Sequence, residues 1–535
     1  MTKRLTVLLL FFFTFCSAFA QDARFLLQFA DKAGSHYSIS KPEEFLSSAA
    51  IERRNRLGIS VDETDLPVSK KYIEEVQDAG FSLIGQTKWL NGVEVIADKD
   101  QQEALLAIDG VDAVTYLGPV DDHEHVQPIE REAGNGTDQN LTNVQNNNFL
   151  KVDSLRNEGW NAEGIKIAIF DAGFIHMKDA GGAGFQAIAQ GRLIGQKNFI
   201  EPDKDVFRYH AHGTHVFSVM GYYEQGKFEG IAPDADYLLC VTEDVRNEYR
   251  YEELNWMMAA EYADSAGVDM IQSSLGYYDF DDPEMNYTWD DLDGASAMIT
   301  QAANFAASRG ILVVNSAGNE GRKSWQKISM PADSKEVLAV GAVTSTWGRA
   351  SFSSFGTKDP DEIKPDVVTL GSGVVVASWQ DRFGTNSGTS FASPMVAGVA
   401  AMVLKEHPDW RPERVIAYFH EISHRCESPT VELGYGVPFN ECKPLSNEKP
   451  LTALFKIAPN PIEGNRIQLL VGASPVTDCQ FLIYDSKGSQ VVSTNAQLEA
   501  YSLVSLPINT YLNPGVYSLV WKCARGQGSQ KLVVK

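Results

Sequence analysis

The sequence predicts an α/β fold built on a doubly wound, mostly parallel sheet, with a small α+β unit before it and a β-sandwich after it. Between residues 146 and 445, short apolar runs bounded by Gly or Asp alternate with helical segments, which is typical of a parallel sheet covered on both faces. Residues 21–120 mix strand and helix patterns, and residues 457–535 contain only short strands between turns. Polar stretches at 121–145 and 446–456 are predicted linkers.

The first unit is predicted to alternate strands and helices over a short length. Its expected elements are a strand at 24–29, helices at 42–57 and 69–79, a strand pair within 82–97, a helix at 100–108 and a strand at 111–117. This spacing favours a small α+β sandwich.

The central unit contains the apolar runs that define the predicted sheet. These strands are expected at 165–170, 237–241, 268–271, 311–314, 337–343 and 367–370, and helices at 253–266, 296–308, 390–406 and 412–422. Ligands of such sheets bind beyond the carboxyl ends of the strands. The last unit is predicted to have strands at 467–471, 480–484, 490–493, 502–505 and 515–521.

Composition excludes several classes of protein. Hydrophobic residues make up 44 % of the 535 residues, so the chain can bury cores and is not globally disordered. The 46 Lys+Arg and 70 Asp+Glu give a net charge of −24. A chain this acidic repels phosphates and anionic membrane surfaces, so neither nucleic acid nor a lipid surface is an expected partner.

The N-terminal 20 residues have the pattern of a cleaved secretory signal. Lys3 and Arg4 precede a 12-residue apolar run at 5–16, which is too short to cross the ~30 Å hydrocarbon core of a bilayer. Ala18-Phe19-Ala20 then supplies a small-x-small cleavage signature before Gln21. A lipoprotein signal at Cys16 is the weaker interpretation, because Phe15 is bulky. No other span exists, so the chain is expected to be secreted or held at the cell surface.

Five cysteines remain after that cleavage, and an oxidising compartment permits disulfides. Cys426–Cys442 and Cys479–Cys523 are the pairings that stay within local units, although sequence leaves the connectivity open. Cys240 lies in an apolar run and is predicted to be a buried free thiol.

Two segments place polar side chains where they suggest chemistry. Asp171 ends the buried strand 165–170, a position that turn residues also occupy. Three histidines then lie within six residues, at His210, His212 and His215. They are compatible with an HxHxxH metal site like that of metallo-β-lactamase-like hydrolases, with one general-base histidine at a helix start packed through Gly213, or with surface residues. The metal signature requires Asp where Thr214 stands.

Two further segments complete the set. Ser390 would open a helix, where the positive field of the N-terminus favours developing negative charge on a nucleophile. A helix-capping serine is the structural alternative, and the segment is not a GxSxG elbow. Asn319 follows the strand at 311–314 and is either a loop residue or an amide donor for an oxyanion.

Together these segments resemble the subtilisin-like serine proteases, or subtilases, of peptidase family S8. The order Asp171, His212, Ser390 is that of the subtilisin triad. The resemblance covers residues 146–445 and rests on the blocks HGTHV at 212–216, SAGNEG at 316–321 and GTSFASPMVAG at 388–398.

The resemblance implies a role for each of these residues. Ser390 would be the nucleophile, His212 the general base, Asp171 its orienting carboxylate, and Asn319 an oxyanion donor. The substrate backbone and pocket walls would be formed by Ser274, Leu275, Gly276, Ala317 and Gly318. Two departures stand out: Ala172 replaces the usual Thr or Ser after the aspartate, which removes a supporting hydrogen bond, and His210 and His215 have no assigned role.

The flanking units extend the resemblance. Residues 21–120 are similar in pattern to the inhibitor-type prodomain of secreted subtilases. The C-terminal unit resembles the sorting domain of type IX secretion cargo, through Pro459-Asn460-Pro461, Asn513-Pro514-Gly515 and the terminal Lys531–Lys535. The implied partners are protein or peptide substrates, the chain's own prodomain and the type IX machinery. No cofactor is implied for the chemistry; the family admits structural calcium, but no ligand loop stands out, so no metal site is assigned.

The sequence therefore predicts a secreted serine endopeptidase made as a self-processing zymogen. A catalytically inactive subtilase fold that acts as a surface binding module is the alternative, and an HxHxxH metallohydrolase is a weaker one.

Overall fold

A computed structural model describes residues 21–120, 141–178, 184–378, 383–440 and 442, and residues 455–535 apart from 458–460, 463–466, 472–475, 486, 499–502, 509 and 524–525. The chain divides into two compact units, with the boundary between Cys442 and Lys443. The expected signal at 1–20, most of the linker at 121–145 and nearly all of the linker at 446–456 lie outside the described residues. Within the described ranges, no helix has the length and apolar character needed to cross a bilayer.

The first unit begins with a four-stranded antiparallel sheet. Its strands are β1 (Asp22–Phe29), β2 (Ser82–Thr87), β3 (Gly92–Asp98) and β4 (Val111–Pro119), and its helices are α1 (Ser48–Leu57), α2 (Lys70–Asp78) and α3 (Gln102–Leu106). The strand order is β2-β3-β1-β4. Phe25, Leu27, Val93 and Val95 form its core together with Val76 of α2.

One predicted helix of this part, at 42–57, is wrong in extent. The chain forms a 3₁₀ turn at Pro42–Glu44 and then a separate α1. Ser47 is extended and its hydroxyl accepts the Ala50 N–H at 3.1 Å, which starts a new helix in place of continuing the first.

A seven-stranded parallel sheet forms the centre of the unit. It consists of β5 (Lys166–Asp171), β6 (Leu193–Asn198), β9 (Asp236–Val241), β10 (Met270–Ser273), β11 (Leu312–Ser316), β12 (Val337–Val343) and β13 (Val367–Leu370). Two separate hairpins are formed by β7 (Tyr223–Glu224) with β8 (Phe228–Glu229) and by β14 (Val374–Ala377) with β15 (Phe383–Asn386). The order is β13-β12-β11-β10-β5-β9-β6, with every pairing parallel. The six predicted strands are present, with 268–271 shifted to Met270–Ser273, and the edge strand β6 was not predicted.

Helices cover both faces of this sheet. They are α4 (Val144–Phe149), α5 (Val152–Asn157), α6 (Gln186–Ala189), α7 (His212–Gly221), α8 (Tyr251–Ala266), α9 (Met298–Ser308), α10 (Thr389–Glu406) and α11 (Pro412–Glu421). One core contains residues of α7 and α10, and a second contains residues of α8 and α9. The predicted α/β architecture with a mostly parallel sheet is therefore confirmed for the central part of the chain.

The strand order positions the site. β5 lies between β10 and β9, so the chain runs to one side of β5 through β6 and β9 and then crosses to the other side through β10 to β13. In open α/β sheets, ligands bind at the carboxyl ends of the strands where the order reverses. Asp171 is the last residue of β5, at this position.

In the second unit, the strands that the structure describes pair with one another in antiparallel fashion, and an isolated parallel bridge joins Ile462 to Val534. The strands are β16 (Phe455–Ile457), β17 (Gln468–Val471), β18 (Val476–Tyr484), β19 (Gln490–Leu498), β20 (Leu503–Ser505), β21 (Gly515–Cys523) and β22 (Gly526–Val534). They form sheets of order β16-β17-β20 and β19-β18-β21-β22. Phe481, Trp521 and Ile467 belong to their common core. The strands at 455–457 and 526–534 were not predicted.

Both disulfides that sequence favoured are present. Cys426 is bonded to Cys442, and Cys479 on β18 is bonded to Cys523 on β21. Cys240 is a buried free cysteine on β9, as expected.

Candidate active site

Asp171 and His212 form a hydrogen-bonded pair at the carboxyl end of β5. The Nδ1 atom of His212 lies 2.8 Å from Oδ1 and 2.9 Å from Oδ2 of Asp171. The Asp171 side chain is fully buried, and Oδ1 also accepts the Ala172 N–H at 2.8 Å. Ala172 has no hydroxyl, unlike the Thr or Ser usual at this position, but its main-chain N–H still donates to the Asp171 carboxylate.

Glycine permits the close approach that forms this pair. His212 and Gly213 open α7, and a Cβ atom on Gly213 would lie 2.4 Å from the Gly173 carbonyl oxygen and 3.0 Å from Cβ of Asp171. Real side chains do not tolerate the first distance. Gly213 thus allows the first turn of α7 to rest directly on the end of β5.

The ionisation of His212 is governed by its carboxylate partner. Burial disfavours the charged imidazole, but the charge and hydrogen bond of Asp171, with a further contribution from the charge of Glu243, outweigh it and raise the pKa of His212. An imidazole held this way can take a proton from a nucleophile and be stabilised in its charged form.

Ser390 lies in the first turn of the 18-residue helix α10 and is 8 % exposed. Its side chain is thus in the positive field of a long helix N-terminus. The ring of the next residue, Phe391, is 5.7 Å from the His212 ring, which brings this turn beside the imidazole. The resting Ser390 hydroxyl donates to the Ser274 carbonyl oxygen at 3.4 Å.

Asn319 is oriented by the residue that precedes Ser390. Its Oδ1 accepts the Thr389 N–H at 3.0 Å and the Thr389 hydroxyl at 3.2 Å. A backbone N–H can only donate, so the amide must present oxygen to Thr389 and its NH₂ group away from it. The Gly318 N–H donates to the same Thr389 hydroxyl at 3.2 Å, which links the loop at 317–319 to the start of α10.

Ser329 lies between the two segments that were expected to form the pocket walls. A Cβ on Gly276 would lie 2.7 Å from Cβ of Ser329, and one on Gly318 would lie 2.5 Å from its hydroxyl oxygen. The Ala317 carbonyl accepts the Ser329 N–H at 3.1 Å. The segments 274–276 and 317–318 are therefore brought together, and Ser329, which carried no motif, lies between them.

The other two histidines make separate contacts. Nδ1 of His210 accepts the His212 N–H at 3.1 Å. His215 is buried on α7, where its Nδ1 lies 3.2 Å from the Asn386 amide nitrogen, and burial lowers its pKa to about 4. The HxHxxH hypothesis requires convergent ring nitrogens, and no histidine belongs to a potential metal-ligand group in the described part of the chain.

Three carboxylates that the sequence did not group do come together. Oxygen atoms of Glu243, Glu248 and Glu252 lie within 4.8 Å of one another, beyond the end of β9 and at the start of α8. Burial raises the pKa of Glu243 to about 7 and that of Glu248 to about 8. These residues are spread over ten positions without a ligand-loop pattern, which is why the sequence did not identify them. We assign no cation to them.

Within the first compact unit, residues 21–120 pack on α8 through buried ion pairs. Asp264 on α8 is fully buried and contacts Arg53 Nη2 at 2.6 Å, Arg54 Nη1 at 2.9 Å and Lys88 Nζ at 3.1 Å. Burial alone would raise the pKa of this carboxyl, but the three cations lower it well below its usual range. Glu261, one turn earlier, accepts the Lys88 and Trp89 N–H groups, each at 3.0 Å.

Comparison with known proteins agrees with this geometry. A model described as the Subtilase family matches residues 162–436, and a model of the peptidase S8 propeptide domain of Bacteroidota matches residues 24–132. Subtilisin NAT of Bacillus subtilis subsp. natto is 29 % identical over 270 residues, which are 50 % of this chain and 62 % of that protein. Subtilisin BL of Lederbergia lenta is 28 % identical over 262 residues, 49 % of this chain and 84 % of that protein.

The match thus spans less than two thirds of the length of subtilisin NAT. The Subtilase model nevertheless covers just over half of the 535 residues, and with a propeptide match preceding it, the chain belongs to the Subtilase family.

Proposed function

We propose that this protein is a secreted serine endopeptidase that hydrolyses peptide bonds in proteins and is made as a self-processing zymogen. The observation that carries the proposal is the Asp171–His212 pair beside the first turn of α10, which bears Ser390. A buried carboxylate, an oriented imidazole and a hydroxyl at a helix N-terminus are the groups that acyl transfer requires.

Each residue has a role in the proposed reaction. Ser390 Oγ attacks the scissile carbonyl carbon while His212 takes the hydroxyl proton, and His212 then gives that proton to the leaving amine as the C–N bond breaks. Water, deprotonated by His212, then attacks the acyl ester on Ser390, and the returned proton regenerates the serine hydroxyl as the acid product leaves. Asp171 holds the imidazole with Nδ1–H towards its carboxylate and stabilises the imidazolium. The oxyanion receives hydrogen bonds from the Asn319 NH₂ group and the Ser390 backbone N–H.

The substrate would lie along the segment that leads from β10 to the pocket. Ser274, Leu275 and Gly276 would contact the substrate backbone, and Ala317 and Gly318 would form the facing wall. The proximity of both segments to Ser329 supports this assignment. The chemistry requires no cofactor in this proposal, and structural calcium stays an open expectation of the family resemblance.

The flanking regions define how the enzyme is made. We propose that residues 21–120 are an inhibitory prodomain, that 146–445 form the peptidase domain and that 457–535 form a β-sandwich read by the type IX secretion machinery. The propeptide match and the buried contacts with Asp264 support the first assignment. The antiparallel sheets of the second unit are compatible with the last.

The proposal is tested by comparing single variants in a peptidase assay. Ser390→Ala, His212→Ala and Asp171→Ala should each lower the rate of casein hydrolysis by roughly 10⁴-fold or more, a magnitude taken over from subtilisin, and the losses should not add. His210→Ala and His215→Ala are the matched controls and should retain most of the activity. A sulfonyl fluoride should label the wild type at Ser390.

The outcome separates the alternatives. An inactive His215→Ala beside an active His212→Ala would overturn the assignment of the general base. Loss of activity with a chelator, without labelling by the fluoride, would favour metal-dependent hydrolysis. A folded wild type that neither reacts with the fluoride nor hydrolyses casein would be a binding module.

A further inference from the structure

We propose that two buried amides, Gln272 and Asn315, are positioning residues that hold the segment 274–276 in register with Ser390. This inference rests on the proposed peptidase function. Both side chains are completely buried, and they occupy the ends of the neighbouring strands β10 and β11. Each donates a hydrogen bond to the segment at 274–276.

Gln272 acts on the nucleophile through Ser274. Its Nε2 donates to the Ser274 hydroxyl oxygen at 2.7 Å, and that hydroxyl donates to the Ser390 carbonyl oxygen at 2.9 Å. A hydroxyl has one proton to donate. Because Gln272 supplies the bond that Ser274 accepts, the Ser274 proton is directed at Ser390.

The Ser390 carbonyl needs this outside donor. In an α-helix it would accept the N–H of residue 394, but that residue is Pro394 and has no N–H. The Ser274 hydroxyl takes the place of the missing helical bond. The residue bearing the nucleophile is therefore tied to the end of β10 as well as to its own helix.

Asn315 acts on the backbone of the same segment. The β10–β11 ladder ends at the pair Ser273 and Asn315, so the chain beyond Ser273 has left the sheet. Nδ2 of Asn315 donates to the Leu275 carbonyl at 2.9 Å and to the Ser316 carbonyl at 2.8 Å. A side chain thus continues the hydrogen bonding of the sheet and fixes the peptide plane between Leu275 and Gly276.

The buried amides of Gln272 and Asn315 are unfavourable for the stability of the folded chain. Neither Oε1 of Gln272 nor Oδ1 of Asn315 has a hydrogen-bond partner within the described chain. A buried acceptor without a partner is unfavourable, and an apolar side chain of the same shape would avoid that cost. The donors, directed at Ser274 and Leu275, are what an apolar residue would not supply.

The two residues should affect different kinetic constants. Gln272→Met keeps the length of the side chain and removes the donor, so kcat should fall about tenfold for a single-residue ester and for a hexapeptide alike. Asn315→Leu should raise KM about tenfold for the hexapeptide, which runs along 274–276, and leave KM for the ester within about twofold.

Asn146→Leu is the matched control. Asn146 is equally buried, and its amide bonds to the backbone of β14: Nδ2 donates to the Val375 carbonyl at 2.8 Å and Oδ1 accepts the Val375 N–H at 3.2 Å. This variant should lower the thermal unfolding midpoint and leave both constants unchanged. All proteins are produced from the full-length chain, and sulfonyl fluoride titration counts the competent sites, so that kcat refers to folded enzyme.

The pattern across substrates decides the result. A fall in kcat with Gln272→Met on both substrates, together with a rise in KM with Asn315→Leu confined to the hexapeptide, supports the inference. If the two variants change only the unfolding midpoint, as Asn146→Leu does, the amides are structural and the inference is wrong. A wild type that hydrolyses neither substrate overturns the proposed function as well.

Discussion

At the residue scale, Asn319 illustrates how a neighbouring residue orients a side-chain amide that we propose to be an oxyanion donor. Thr389 supplies two donors to Oδ1, so the amide cannot turn without losing both bonds. The NH₂ group is therefore preorganised before substrate arrives, and preorganised donors act mainly on the transition state.

The first prediction concerns this amide. Asn319→Ala should lower kcat by roughly 10²–10³-fold with little change in KM, a magnitude taken over from subtilisin. Steady-state kinetics on a peptide substrate measure both constants. A rise in KM with kcat unchanged would show that Asn319 serves substrate binding.

His215 provides a prediction about pH. It is 5 % exposed, and burial, aided by the charges of His212, His210 and His176, lowers its pKa to about 4. Below an unfolded-state pKa of about 6.5, the unfolded chain binds a proton at His215 that the folded chain excludes. The contribution of His215 to the free energy of unfolding is therefore fully present above that pH and is lost as the pH falls. At pH 5 the loss from this residue is about 2 kcal/mol.

We therefore expect His215→Gln to reduce the loss of stability between pH 7 and pH 5. Chemical denaturation of both proteins in a Ser390→Ala background, which prevents self-digestion, measures the difference. An equal loss in the two proteins would mean that His215 does not exclude the proton.

The residues of the proposed triad could be predicted as a set because the chemistry proposed for them restricts both residue type and local context. Asp171, His212 and Ser390 each sit in a short block whose glycines and small residues are themselves needed for close packing, as Gly213 shows. Gln272 and Asn315 could not be predicted, because their function depends on which strands are neighbours. Asn315 reaches the Leu275 carbonyl across 40 residues of sequence.

At the element scale, α1 is joined to α8 by charges that are fully removed from water. Arg53 on α1 donates to Asp264, to the Val268 carbonyl at 2.6 Å and to the Arg309 carbonyl at 3.1 Å. Arg56, one turn later, pairs with Asp269 at 3.0 Å, but its side chain is 43 % exposed. The helix therefore carries buried contacts through Arg53 and Arg54 and an exposed contact through Arg56.

Arg53 and Arg56 make a matched pair for an element-scale prediction. Exposed ion pairs contribute about 0–1 kcal/mol, whereas breaking a buried pair costs about 3–5 kcal/mol. In a Ser390→Ala background, Arg53→Ala should raise hydrogen exchange at the Lys88 and Trp89 amides tenfold or more, and Arg56→Ala should change it less than twofold. Equal effects of the two variants would contradict the idea that the buried contacts hold the prodomain in place.

In the parallel sheet, strands were predictable where the apolar run was continuous, and the edge strand was missed because its run is not continuous. The six predicted strands of the parallel sheet lie under helices on both faces, so their sequences are mostly apolar. Before its buried last residue, Asn198, the edge strand β6 has only intermediate and exposed positions, and it contains Gln196 and Lys197, so its sequence shows no continuous apolar run. The first residues of β22 include Gly526 and Gly528, so its sequence is similar to that of a turn.

At the scale of the whole molecule, the proposed prodomain and the proposed peptidase domain belong to one compact unit, and the C-terminal sheets belong to another. The last strand of the prodomain, β4, ends at Pro119, and a Cβ on Gly118 would lie 2.8 Å from Cβ of Tyr249, just before α8. Under the proposed function, the chain that follows is the enzyme's first substrate. The two ends of the protein should therefore be processed by different agents.

The N-terminal cut, within residues 118–145, should be intramolecular and should require Ser390. Removal of the C-terminal unit, which follows the predicted linker at 446–456, should be carried out by the secretion machinery and should not require Ser390. Mass spectrometry of wild type and Ser390→Ala, purified from the native host, compares the termini directly. The variant should keep residues 21–120 and still lose the residues beyond about 450. If it loses both ends, another protease performs the N-terminal cut, and the protein is not self-processing even if Ser390 is its nucleophile.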